Sequence, residues 1–100
     1  FWIIYLNNSN KVISKSQLSK VGITGTLVDV RIVFKTALEM GATGLILCHN
    51  HPSGTLIPSD ADKQITRKLK LAGDSLEIKV LDHLIVTEKN YFSFADEGIF

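Results

Sequence analysis

Apolar and polar positions along the 100-residue chain change their period several times, and each change marks an element. Residues 1–6 are an apolar run rich in aromatic and β-branched side chains. The run breaks at Asn7-Asn8-Ser9-Asn10, the pattern of a strand entering a turn. Residues 11–19 then alternate, Val12 and Ser14 against Ile13 and Lys15, which predicts an antiparallel hairpin with Gly22 and Gly25 at its exit. Asp29 is a candidate cap for a helix whose apolar face is Val30, Val33, Phe34, Ala37 and Leu38. Arg31, Lys35 and Glu39 fall on the other side, and Gly41 closes the helix. Gly44-Leu45-Ile46-Leu47-Cys48 is a continuous apolar run, expected of a central strand buried on both faces. A second helix starts at Ser59, repeats Ile65, Leu69 and Ala72, and is expected to stop at Gly73. Residues 76–87 alternate as a long strand. A short strand over 91–94 precedes a turn at Ala95-Asp96-Glu97-Gly98. Strand, strand, helix, strand, helix, strand, strand predicts an α/β domain over residues 1–100, with a mixed sheet flanked by helices.

Composition narrows the setting. Hydrophobic residues make up 45% of the chain, enough for one core without disulfide staples, and Cys48 has no partner for a bridge. No run of 18 or more apolar residues suggests a membrane span, and residues 1–6 lack a basic leader, so a reducing, cytoplasmic setting is expected. Eleven basic and ten acidic residues leave a net charge of +1, so a phosphate backbone would have to be met by a local patch. The abrupt apolar opening at Phe1 suggests a piece of something longer.

The candidate chemistry is concentrated in His49-Asn50-His51-Pro52-Ser53-Gly54 and the following Pro58-Ser59-Asp60-Ala61-Asp62. In extended backbone residues i and i+2 share a face, so His49 and His51 project together while Asn50 points away. Pro52 biases His51 toward extended geometry, and Gly54 allows a sharp turn that returns the second helix toward the histidines. Asp62, in that helix's first turn, completes a set of three ligands of the kind an open zinc site takes. A metal there would polarise a carbonyl and make hydroxide available near neutral pH, with Ser59 placed to stabilise an oxyanion and a carboxylate still required as general base. Ser59-Asp60-Ala61-Asp62 also reads as a helix-capping pattern. The whole spacing is rarer, expected by chance only about twice per thousand chains of this length.

Other groups carry weaker signals. Cys48 faces away from His49 by strand parity and reads as core. Asp82 shares a predicted strand face with Ile78, Val80, Leu84 and Val86, where a carboxylate needs a partner. It either orients a metal-bound imidazole or marks a bulge or edge. His83, on the opposite face, reads as a surface or satisfied histidine rather than a fourth ligand. Lys63, Arg67 and Lys70 form a basic stripe, read as a solvated helix face because no aromatic residues interleave with it.

His49, His51, Ser59 and Asp62 resemble, position by position, the JAMM metalloprotease motif of Glu, then His-x-His, ten residues and Asp, with Ser three before the Asp. His-Asn-His-Pro-Ser-Gly, together with Leu81-Asp82-His83 and Gly25-Thr26-Leu27, is similar to the C-terminal domain of bacterial RadC, historically called a DNA repair protein. The resemblance covers essentially the whole chain. It implies a JAMM/MPN (cytidine-deaminase-like) three-layer α/β fold, a Zn2+ ion held by His49, His51 and Asp62, and Ser59 as oxyanion helper. The family's catalytic glutamate lies at the start of the first strand. Here no acidic residue precedes Lys11, and Glu39, Glu77, Glu88 and Glu97 stand in the wrong part of the order, so the base is expected just upstream of Phe1. Three functions follow as expectations. The first is a zinc-dependent metallopeptidase or isopeptidase acting on a peptide or isopeptide. The second is a module binding nucleic acid or a repair complex, and the third is a domain with a purely structural metal.

Overall fold

A computed structural model describes residues 1–17, 28–51 and 54–100. The expected features at Gly22, Gly25, Thr26, Leu27, Pro52 and Ser53 lie outside the described residues. The elements are β1 (Trp2–Leu6), β2 (Val12–Gln17), α1 (Val30–Glu39), β3 (Gly44–Asn50), α2 (Asp60–Leu76), β4 (Lys79–Val86) and β5 (Tyr91–Ser93). They form a five-stranded mixed sheet in the order β2-β1-β3-β4-β5. The β3–β4 pair is parallel, as the α2 crossover requires, and every other pair is antiparallel.

The β1–β2 hairpin turns where Asn7 Oδ1 accepts the Ser9 and Lys11 N–H groups and Asn10 takes the left-handed conformation. Asp29 caps α1 by accepting the Arg31 N–H at 2.9 Å. The helix buries Val33, Phe34 and Ala37, whereas Leu38, expected on that face, is exposed. At about 100° per residue, Leu38 falls past the edge of the arc running from Val33 to Phe34.

Both helices bury residues into one core with Ile3, Tyr5, Leu45, Leu47 and Val80. The other face of β3, Ile46 and Cys48, is only half-buried, which differs from the double burial expected of a continuous apolar run. On α2 the buried stripe is Asp62, Thr66, Leu69 and Gly73, polar at the helix start and apolar toward its end. Ile65 and Ala72 are half-buried beside it. The expected stop at Gly73 is incorrect, since α2 runs on to Leu76 and closes at Glu77 in the left-handed conformation. Gly73 is small for another reason: an added Cβ would lie 2.3 Å from the carbonyl oxygen of Ile78.

The β4 strand contains a bulge. Val80 pairs with Leu45 and Asp82 with Ile46, so Leu81 has no opposite number. An extra residue reverses the inside-outside alternation. Ile78 and Val80 face the core before it, His83 and Ile85 after it, and Asp82 is turned to the other face. No described helix is long and apolar enough to cross a membrane.

Candidate metal centre

The site forms where the C-terminal end of β3 meets the N-terminal end of α2. His49 is buried and Asn50 exposed, as strand parity predicts. His51 follows immediately, its N–H donated to the Val86 carbonyl, and the chain turns back through Gly54, whose N–H reaches the His51 carbonyl with φ at +81°. The returning loop brings the Thr55 carbonyl to 3.1 Å from His51 Nδ1. A carbonyl only accepts, so Nδ1 carries the hydrogen and a neutral His51 ring presents Nε2 as a lone pair.

Ser59 caps α2 and locks Asp62 in place. Its Oγ accepts the Asp62 N–H at 3.0 Å, while Asp62 Oδ2 accepts the Ser59 N–H at 2.8 Å. The carboxylate held by the cap also faces both imidazoles. Asp62 Oδ1 is 3.1 Å from His49 Nε2, Oδ2 is 3.3 Å from His51 Nε2, and the two Nε2 atoms are 2.9 Å apart. Burial alone would push the Asp62 carboxyl up. The His49 hydrogen bond, the Ser59 N–H, the His49 charge and the Ser59 hydroxyl outweigh it, and the group is held well below the usual carboxylate range.

His49, His51 and Asp62 each offer one ligand atom, all within 4.8 Å of one another, and they are the group able to hold a metal ion found among the described residues. Tetrahedral zinc with bonds of about 2.0–2.1 Å sets its ligand atoms about 3.3 Å apart; the two Nε2 atoms here are 2.9 Å apart and the carboxylate meets each of them through a different oxygen, at 3.1 and 3.3 Å, and imidazole with carboxylate suits such an ion. The residues fit the metal. A four-coordinate ion held by these three donors would keep a fourth position for water.

The surroundings were only partly legible. Cys48 is half-buried, off the cluster, and burial raises its thiol pKa. Asp82 does not orient an imidazole. It accepts from the Ser93 hydroxyl, the Ala95 N–H and its neighbour His83 N–H, tying β4 to the turn after β5 at the bulge. His83 is satisfied but not at the surface: it is fully buried, with Nε2 2.9 Å from His49 Nδ1 and Nδ1 2.6 Å from Thr66 Oγ1. Burial first, and the His49 charge next, push its pKa down to about 3, so the ring is neutral. Phe94 stacks on it at 4.5 Å, and Phe1 stacks on His49 at 5.1 Å, so the two imidazoles are walled by aromatic rings. Asp82 on an apolar face pointed to a bulge or an edge, and the register of β4 on β3 places that bulge at Leu81; what it hid was the inward turn of His83.

A groove of about 570 Å³ runs along α2, away from the metal ligands, lined by Lys63, Arg67, Lys70, Phe94, Ile99 and Phe100 among others. Lys63 and Arg67 are exposed, whereas Lys70 donates to the Phe100 carbonyl at 2.6 Å and lies over its ring.

The fold and the His-x-His…Asp cluster define an α/β domain of the JAB type. A family model described as "RadC-like JAB domain" matches residues 1–99, and the chain belongs to that family. It is 73% identical over 100 residues to a UPF0758 protein of Flavobacterium johnsoniae, covering all of this chain and 44% of that one. Identity is 44% over 99 residues to a UPF0758 protein of Porphyromonas gingivalis, covering 98% of this chain and 44% of the relative. It is 46% over 99 residues to one of Symbiobacterium thermophilum, covering 99% and 42%. The chain thus spans less than half the length of these relatives.

Proposed function

We propose that this domain is a zinc-dependent hydrolase of the metallopeptidase or isopeptidase type, with His49, His51 and Asp62 holding the metal and Ser59 assisting at the oxyanion. The observation that carries the reading is the approach of two imidazole Nε2 atoms and one carboxylate within 3.3 Å of one another. A bound zinc ion supplies a Lewis acid that lowers the pKa of water toward about 7 and polarises an amide carbonyl. The chain's own groups supply the rest. Asp62 places negative charge at the site, and the Ser59 hydroxyl, exposed and used by the cap only as an acceptor, keeps its proton to donate to a developing oxyanion.

On this reading the general base lies upstream of Phe1 on the continuation of β1, and the register of β1 on β3 supports that position. Trp2 faces Cys48 and Ile3 faces Leu47, so Phe1 falls opposite His49, and its ring does stack there. Continuing the strand upstream, the residue two positions ahead of Phe1 falls opposite His51 and on the same face as both histidines. A glutamate there would stand on the same side of the sheet as the two imidazoles.

A structural metal is the weaker reading, because structural zinc sites are closed by four protein ligands and the described residues bring three together. The exposed Lys63 and Arg67 beside the α2 groove are what favours a nucleic-acid role, and a steep loss of DNA binding with salt would support it. The deciding experiment measures bound zinc by elemental analysis and cleavage of peptide and isopeptide substrates by the full-length chain. Stoichiometric zinc with cleavage lost in His49→Ala is expected, and zinc-free, folded protein would overturn the proposal.

A further inference from the structure

The fully buried His83 is bonded at both ring nitrogens, and the direction of those bonds can be read from the far end of the chain they form. Thr66 Oγ1 lies 2.7 Å from the Asp62 carbonyl oxygen, which can only accept. The hydroxyl has one proton and it is spent there, so toward His83 the threonine oxygen must accept. His83 Nδ1, at 2.6 Å, is then the protonated nitrogen of a neutral ring, and His83 Nε2 is a lone pair. That lone pair accepts the Nδ1–H of His49 at 2.9 Å. In the neutral His49 ring Nε2 is then the nitrogen without a hydrogen, aimed at Asp62 Oδ1 and His51 Nε2; in the protonated ring the Nδ1–H bond is the same and Nε2–H meets Asp62. The series of bonds starts at the backbone of Asp62 and returns to its side chain.

We propose that Thr66 and His83 are positioning residues that fix the tautomer and tilt of His49, so that its Nε2 is presented as a metal-binding lone pair. The inference rests on the metal-site reading above. Packing alone does not account for the pair. The stacked Phe94 and the edge-on Phe1 would hold an apolar ring as well as an imidazole, yet the position carries a group bonded at both ends, and α2 buries a threonine hydroxyl to meet it. The helix supplies the geometry. Thr66 is four residues after Asp62, hence one turn along the same buried stripe, so the turn that holds the carboxylate also sets the imidazole on β3. A partner on the outer nitrogen of a ligating histidine raises its basicity and fixes its orientation.

The test uses the full-length protein, zinc competition against a chelator, and long-range 1H–15N correlation spectra of the histidine rings. In the wild type His83 and His49 are expected as Nδ1–H tautomers. Thr66→Val keeps the shape but removes the acceptor. It should weaken zinc about 10–100-fold and move the His83 proton to Nε2, whereas Thr66→Ser should stay within about threefold of wild type. His83→Gln, whose amide oxygen can accept from His49, should bind zinc more tightly than His83→Phe. Thr66→Val with wild-type zinc affinity, or a wild-type His83 protonated on Nε2, would overturn the relay while leaving the metal site standing. A folded wild type that binds no zinc would remove both.

Discussion

Asp62 and Ser59 cap each other, and the carboxylate that closes the cap is the one that faces both imidazoles. Oδ2 takes the Ser59 N–H at 2.8 Å and lies 3.3 Å from His51, while Oδ1 lies 3.1 Å from His49. Fold and site therefore share one side chain, and substitutions can separate the two uses. Asn can still accept the Ser59 N–H, so Asp62→Asn should keep stability within about 1 kcal/mol. It removes the anionic donor, and zinc affinity should fall by at least about tenfold. Urea denaturation and chelator competition on the same samples would show the split. Equal zinc binding would exclude Asp62 as a ligand.

A single alanine substitution would confuse the cap that Ser59 makes with the oxyanion role proposed for it. Ser59→Ala should cost about 1 kcal/mol of stability through the lost cap. Ser59→Asp retains a capping acceptor but offers no hydroxyl donor, so it should remain stable while kcat drops about 10²–10³-fold. If Ser59→Asp retains wild-type kcat, the oxyanion role is wrong and the residue is a cap alone.

Gly73 gives a prediction opposite in sign to helix propensity. Alanine in a helix interior is favoured over glycine by about 0.8–1 kcal/mol. Here its Cβ would meet the Ile78 carbonyl at 2.3 Å, a backbone atom that cannot swing aside, and α2 would have to move off the start of β4. Gly73→Ala should therefore destabilise the protein by about 1–3 kcal/mol. A rise in the urea midpoint would contradict the contact.

The buried His83 should make the metal-free protein sensitive to mild acid. Its folded pKa, about 3, lies below the ordinary value of 6.5, so between these limits the unfolded chain binds the extra proton. The stability it contributes is complete above about 6.5 and is lost as pH falls toward 3. Asp62, held down in the fold, adds a loss that begins near its ordinary value of 3.8. Urea titrations from pH 7 to 4 should show falling stability in wild type and a flatter profile in His83→Phe. Parallel profiles would assign the acid sensitivity to other groups.

What the sequence determined by itself was local. Strand parity put His49 and His51 on one side and Asn50 on the other, because side chains alternate along any extended segment. Cap chemistry placed the starts of both helices at Asp29 and Ser59, since unpaired N–H groups there need an oxygen within a few residues. Asp62 was legible as a partner for the histidines because the cap and the spacing both pointed to it.

Tertiary structure decided what depends on residues far apart. The bulge at Leu81, one of the readings that Asp82 on an apolar face offered, is fixed in place by the register of β4 against β3, and it exchanges the fates of Asp82 and His83. Gly73 is required by the Ile78 carbonyl resting on it, a contact invisible to a rule that reads glycine as a helix stop, and α2 ends only at Glu77. Thr66 gained its place only because α2 packs over that displaced strand, bringing a hydroxyl to an imidazole 17 residues away. Periodicity fixes faces within an element, but burial of a polar pair is settled by how elements meet, and the three-residue bond series behind His49 exists only at that meeting.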